Sequence, residues 1–300
     1  MASEKTRKTI RADILGFCMG VRRAQEIAET AAKNFKGTRI YTIGPLVHNP
    51  KVLEDLNQIG IKTLNNLQDI DTKEISDCSF IIRAHGISPA IEENLQNRGA
   101  HIIDATCPKV KKSQIKAQEL ARKGYSIFLA GKANHAEIEG ILGYAKDENS
   151  RPSFCVTVEN ASEAEKAAQE LYKNASNART ALLSQTTNSQ EEYRKIGDAI
   201  KKYYPNLEIV DTICAATSER QKSLRNLLEK AEAVIITGGK DSANTIRLYE
   251  IAQKSGKPCV LIENAAEIPP AFFNYKTIGL SAGASTPDSV INEIESRLNT

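Results

Sequence analysis

The sequence predicts an α/β protein of three similar units, each carrying a small, mainly parallel sheet. Short β-branched runs alternate with longer amphipathic stretches along the whole chain. A strand–cysteine–helix pattern recurs three times, roughly a hundred residues apart. The 300 residues, 41% hydrophobic and 26% charged, have an ordinary globular composition. They suffice for two domains of usual size or three small ones.

Taken in order, strands are expected at ADILG (12–16), RIYTIG (39–44), FIIRA (80–84), HIID (101–104) and SIFLAG (126–131). Further strands are expected at FCVTV (154–158), ALLS (181–184), EIVDTI (208–213), AVIITG (233–238), CVLIE (259–263) and TIGLSA (277–282). All are short, and all but ALLS carry β-branched residues. Helices fill most of the intervals; over 20–35, Val21, Ala24, Ile27, Ala28, Ala31 and Phe35 recur at helical spacing. The segments ADILGFC, HIIDATC and EIVDTIC end at Cys18, Cys107 and Cys214, and the last two share Asp-x-x-Cys. A helical segment follows each cysteine, and Pro108 falls at a favoured first helical position. The carboxyl ends of parallel strands are where open α/β sheets bind ligands. A helix N-terminus also stabilises a thiolate. Three such units facing a common centre would gather three thiolates.

Three thiolates suit an iron–sulfur cluster or zinc, since both are soft-ligand centres. The absence of C-x-x-C pairs speaks against a structural zinc site. A zinc-dependent hydrolase and a non-catalytic phosphate binder with core cysteines remain as alternatives at this point. Cys78, Cys155 and Cys259 lack the repeated context and are read as structural. Of four histidines, three stand at strand-to-helix loops: His48 in GPLVHNP, His85 in RAHGIS and His135 in GKANHAEIEG. His101 precedes a strand and is read as structural. Glu137 follows His135 by two residues, placing a carboxylate and an imidazole together as a candidate proton donor and relay. The loops Gly238–Thr245 and Gly283–Asp288 offer backbone N–H groups and neutral side-chain donors, and Gln185-Thr186-Thr187 closes another strand. Such donors with imidazoles suit a diphosphate.

A net charge of +3 gives no reason to expect nucleic acid or an anionic membrane as partner, and no Lys/Arg stripe carries interleaved aromatics. No apolar run reaches the roughly 18 residues that span a bilayer, and the first residues do not form a secretory signal. A cytoplasmic protein with reduced cysteines is expected.

The motifs GFCMGVRRA, GPLVHNP, RAHG, DATCPKV, GKANHAEIEG, LLSQTT, DTICAAT, GGKDSANT and SAGAST together resemble the LytB/IspH family, the 4-hydroxy-3-methylbut-2-enyl diphosphate reductases. The resemblance runs from about residue 10 to about residue 292. It implies a pseudo-threefold trefoil of α/β units, over 20–106, 107–212 and 213–300 with 1–19, around a central cluster. It implies one 4Fe–4S cluster on Cys18, Cys107 and Cys214, with one iron left open to the substrate's hydroxyl. Glu137 would supply a proton, His135 would assist, and Thr186 would lie beside the substrate alcohol. His48, His85, Ser242, Asn244 and Ser285 would hold the diphosphate. Ferredoxin or flavodoxin would deliver two electrons. Ala243 and Ala136 depart from the Ser and Pro common in relatives; the first removes a hydroxyl, and the second loosens the loop at His135.

Overall fold

The computed structural model describes residues 7–65, 70, 72–145 and 154–299. The chain runs through β1 (Lys8–Arg11), α1 (Met19–Asn34), β2 (Arg39–Ile43), α2 (Pro50–Gln58), β3 (Ile61–Leu64), β4 (Cys78–Ile82), α3 (Pro89–Asn97) and β5 (His101–Asp104). It continues with α4 (Pro108–Arg122), β6 (Ser126–Ala130), α5 (Ala136–Ala145), β7 (Cys155–Val158), α6 (Ala161–Asn174), β8 (Thr180–Ser184), α7 (Gln190–Lys201) and β9 (Glu208–Ile209). It ends with α8 (Ala215–Lys230), β10 (Ala233–Thr237), α9 (Ala243–Lys254), β11 (Cys259–Ile262), β12 (Thr277–Ala282) and α10 (Asp288–Asn299).

The strands form three four-stranded parallel sheets with one strand order: β3-β2-β4-β5, β7-β6-β8-β9 and β11-β10-β12-β1. In the third sheet the last place is taken by β1, which pairs with β12 from Lys8↔Thr277 to Arg11↔Leu280. Two compact units result. One comprises Met1–Arg22, Val47–Gln58 and Ala215–Thr300 and holds the third sheet. The other comprises Arg23–Leu46 and Ile59–Cys214 and holds the first two sheets.

The inner strands β4, β6, β8 and β10 are buried at every position. Their unbroken apolar runs follow from helices covering both sheet faces. In the larger unit, Phe128 and Leu182 pack with Ile196 and Ile200 of α7 on one face. Ile127, Leu129 and Leu183 pack with Leu120 of α4 and with Ile138 and Ile141 of α5 on the other. In the smaller unit, Val234 and Ile236 meet Leu224, Leu227 and Leu248 of α8 and α9, while Ile235 and Leu280 meet Ile291 and Ile294 of α10. Each such side chain contributes about 1.5–3 kcal/mol through burial.

Three strand expectations need correction. The 12–16 segment is not a strand: β1 precedes it as polar Lys-Thr-Ile-Arg, and the chain then turns away at Gly16, whose φ is +75. Strand β3 had no counterpart among the expected strands, because it is a four-residue edge strand with both Lys62 and Thr63 exposed. β9 stops at Ile209, since Asp211 caps a turn by accepting from the Ile213 N–H at 3.2 Å. The helix expected over 20–35 is α1.

Candidate functional site

The common strand order places equivalent loops at the carboxyl ends of equivalent strands. Each cysteine stands directly before a helix: Cys18 before α1, Cys107 before α4 and Cys214 before α8. Each donates its backbone N–H to a carbonyl in the loop after a central strand of its own sheet. Cys18 donates to Ala284, Cys107 to Ala84 and Cys214 to Thr186, at 2.9–3.0 Å. The shared Asp-x-x-Cys has a local cause. Asp104 accepts from the Thr106 N–H at 2.8 Å, as Asp211 does from Ile213, so each Asp folds the turn that delivers its cysteine. All three are half-buried thiols. None of the three following helices has an acid in its first turn, whereas α5, α6, α7 and α10 each do. A thiolate or an anionic cluster at these N-termini would take the place of the usual acid. This donor set fits a thiolate-held iron–sulfur group.

A second set of loops follows β2, β6 and β10. Each begins with a glycine at positive φ, Gly44, Gly131 and Gly238, and carries a functional candidate four residues later: His48, His135 and Ser242. In the smaller unit, Ser285 Oγ donates to the His48 carbonyl at 3.1 Å. Gly239 lies so close that a Cβ there would sit 2.2 Å from the same carbonyl oxygen. Ser242 caps α9 by accepting from the Thr245 N–H. Asn244 is 4% exposed, and its Nδ2 is buried with no hydrogen-bond partner. A buried amide left unsatisfied costs about 1–3 kcal/mol, which an anion at this loop would recover.

In the larger unit the structure brings Glu137 and Thr186 together. The Glu137 carboxylate, 1% exposed, accepts from the Thr186 N–H at 2.7 Å and from Thr186 Oγ1 at 2.9 Å. Burial pushes the Glu137 carboxyl up to about 7, against the opposing pull of the two Thr186 bonds. The Glu137 N–H donates to His135 Nδ1 at 3.2 Å, which leaves Nε2 to carry the proton in the neutral ring. The His85 and His135 rings meet edge to face with centroids 5.3 Å apart. A buried acid that titrates near neutrality, beside a hydroxyl and two imidazoles, can donate a proton to a bound alcohol.

Cys78 is buried, and its thiol donates to the Glu74 carbonyl at 3.1 Å; burial pushes Cys78 and Cys259 up. Neither is suited to act as a thiolate. Sequence reasoning missed a further repeat. Gln25, Gln114 and Gln221 each stand seven residues after a site cysteine, two helical turns along, and the spacing Cys-x6-Gln was readable. Gln114 and Gln221 are buried, and Gln25 Oε1, Gln114 Nε2 and Gln221 Nε2 have no hydrogen-bond partner. Arg220 was also missed; it is 2% exposed and donates to the Gly16 carbonyl at 2.6 Å, bracing the Cys18 turn. Among the described residues no helix is long and apolar enough to cross a membrane.

Comparison with known proteins gives these positions a context. The family model for the LytB protein matches residues 9–299. A relative from Treponema denticola, named 4-hydroxy-3-methylbut-2-enyl diphosphate reductase, is 42% identical over 96% of this chain and 98% of its own length. One of the same name from Aquifex aeolicus is 38% identical over 96% of this chain and 94% of its own. The solved structure of the E-1-hydroxy-2-methyl-but-2-enyl-4-diphosphate reductase from Plasmodium falciparum superposes with a TM-score of 0.88 at 30% identity, covering 98% of this chain and 89% of that one. A family match of this extent, with relatives alike from end to end, shows that the chain belongs to the LytB family and so to proteins built around an iron–sulfur cofactor.

Proposed function

We propose that this chain converts 4-hydroxy-3-methylbut-2-enyl diphosphate to isopentenyl diphosphate and dimethylallyl diphosphate, the last step of the methylerythritol phosphate route to isoprenoids. The allylic C–O bond breaks, two electrons and two protons are consumed, and the oxygen leaves as water. Cys18, Cys107 and Cys214 would hold one 4Fe–4S cluster, leaving one iron site open. The chain's three α/β units are 20–106, 107–212 and 213–300 with 1–19. When bound, the cluster supplies electrons one at a time and a Lewis-acidic iron for the hydroxyl.

The chain's own residues do the rest. Glu137 stays protonated to about pH 7 and gives its proton to the departing oxygen. Thr186 fixes the carboxyl through both its N–H and its hydroxyl and turns that hydroxyl toward the substrate alcohol. His135 holds the Glu137 loop through Nδ1 and assists the proton's passage. His48, His85, Ser242, Asn244 and Ser285 take the diphosphate, which anchors the reacting carbon. A cytoplasmic ferredoxin or flavodoxin supplies the electrons.

The observation that carries this proposal is the threefold seat of the cysteines: the same backbone bond and the same helix start in three sheets of one strand order. Iron, zinc and acid-labile sulfide per chain, measured after purification without oxygen, test it together with turnover of the hydroxylated C5 diphosphate. About four irons and four sulfides with formation of both products are expected. Zinc without sulfide would point to a hydrolase, and a chain that binds no metal after anaerobic reconstitution would refute the ligand set.

A further inference from the structure

We infer that the exposed face of α4, immediately after Cys107, docks a small acidic one-electron carrier protein; this rests on the reductase reading given above. The first three turns of α4 carry Lys109, Lys111, Lys112 and Lys116. Lys111 turns to Asp104 at 3.5 Å and to the Tyr144 hydroxyl at 3.1 Å, and Lys116 turns to Glu119 and Glu208 at 3.4 and 3.7 Å. Lys109 and Lys112 are exposed and enter no ion pair among the described residues. Arg23 adds a further positive charge, donating to the Thr106 carbonyl at 3.1 Å, one residue before the cysteine.

Lys109 and Lys112 do not serve the helix. Cations at a helix N-terminus oppose the macrodipole, where an acid would be favourable. α4 has no acid in its first turn, while its neighbour α5 opens with Glu137 and Glu139. Between Lys112 and Lys116 on the same face stands Ile115, which is 53% exposed and among the few large apolar side chains in water. A single exposed apolar residue on a lysine-rich face, with Lys109 and Lys112 in no ion pair among the described residues, has the form of a small, transient interface: charge steers the encounter and one apolar anchor seats it. The partner's required chemistry follows from position. Lys109 is two residues from a proposed cluster ligand, so a carrier seated here brings its redox group to the cysteine's end of α4, and the basic face selects a negatively charged carrier.

The test compares two reductants on the cluster-loaded protein: an acidic ferredoxin, and methyl viologen reduced by dithionite, which needs no protein docking. Cluster reduction is followed by stopped-flow absorbance. Lys109→Glu with Lys112→Glu is expected to slow reduction by ferredoxin about tenfold or more and to flatten its dependence on salt, with the viologen rate unchanged. Ile115→Ser alone is expected to slow the ferredoxin reaction while leaving its salt dependence in place. Lys166→Glu with Lys173→Glu, on the exposed face of α6, should alter neither reaction. An unchanged ferredoxin rate in the α4 variant overturns the assignment. So does an equal fall with both reductants, because that would place the effect on the cluster. A wild-type protein that neither reagent reduces would instead refute the reductase reading, and the docking face with it.

Discussion

Replacing Glu137 with Gln separates the proton chemistry of the site from its architecture. The Gln carbonyl can accept from the Thr186 N–H, and its amide can donate to Thr186 Oγ1 once that hydroxyl turns, so both contacts at 2.7 and 2.9 Å survive. The titration does not survive. In the folded protein Glu137 keeps its proton to about pH 7, while its ordinary value is 4.5. At roughly 1.4 kcal/mol for each tenfold in proton affinity, the difference amounts to about 3 kcal/mol. The sign follows from a raised carboxyl. Between 4.5 and about 7 folding takes up a proton, so this stabilisation is complete below 4.5 and is lost as the pH rises through about 7. Urea denaturation at pH 5 and pH 8 measures it. Wild-type stability should fall over this interval by up to about 3 kcal/mol more than that of Glu137→Gln. The variant should also retain iron, sulfide and substrate binding while losing about 10²–10⁴ in turnover. Parallel pH profiles for the two proteins would refute the buried, protonated carboxyl, and near-normal turnover would remove Glu137 from the proton path.

Four further outcomes are expected. Cys107→Ser should lose the cluster, checked by iron content and visible absorbance, with the apo fold intact by circular dichroism. Thr186→Val removes a hydroxyl bond that lowers the Glu137 proton affinity, so the acid should titrate still higher, and turnover should fall with an upward shift in the pH–rate profile. Asp211→Ala deletes the bond that folds the Cys214 turn and should cost about 1 kcal/mol in denaturation along with weaker cluster retention. Gly239→Ala forces a Cβ within 2.2 Å of the His48 carbonyl; a loss of about 1–3 kcal/mol and a raised KM for the diphosphate are expected.

Residues whose signal is local were legible in the sequence. The cysteines stood out because strand, turn and helix repeat around each one, and Pro108 marked the start of α4 to the residue. The buried central strands were legible as apolar runs. Two of the edge strands were not: β1 and β3 are four residues each, the first mostly and the second half polar, because an edge facing water needs no apolar pattern. The apolar segment 12–16 drew the strand expectation instead, although Ala12 fills a core position from a loop. Long-range pairing was hidden for a different reason. Glu137 and Thr186 lie 49 residues apart, and their contact exists only because β6 and β8 are neighbours that end at the same height. The raised proton affinity of Glu137 comes from that enclosure, so no local pattern could report it.

The place of β1 in the third sheet bears on when the site can form. Lys8–Arg11 and Cys18 leave the ribosome before the other described strands, whereas their partners, Thr277–Leu280 and the Ala284 carbonyl, follow every strand of the other two sheets. Sheets β3-β2-β4-β5 and β7-β6-β8-β9 have all their strands well before then, so they can close while synthesis continues. The Lys8–Cys18 segment must wait, without its sheet partner, until β12 has been made. The seat of Cys18 is then set only after those of Cys107 and Cys214, and a cluster held by all three would be inserted only once Ala284 has been made.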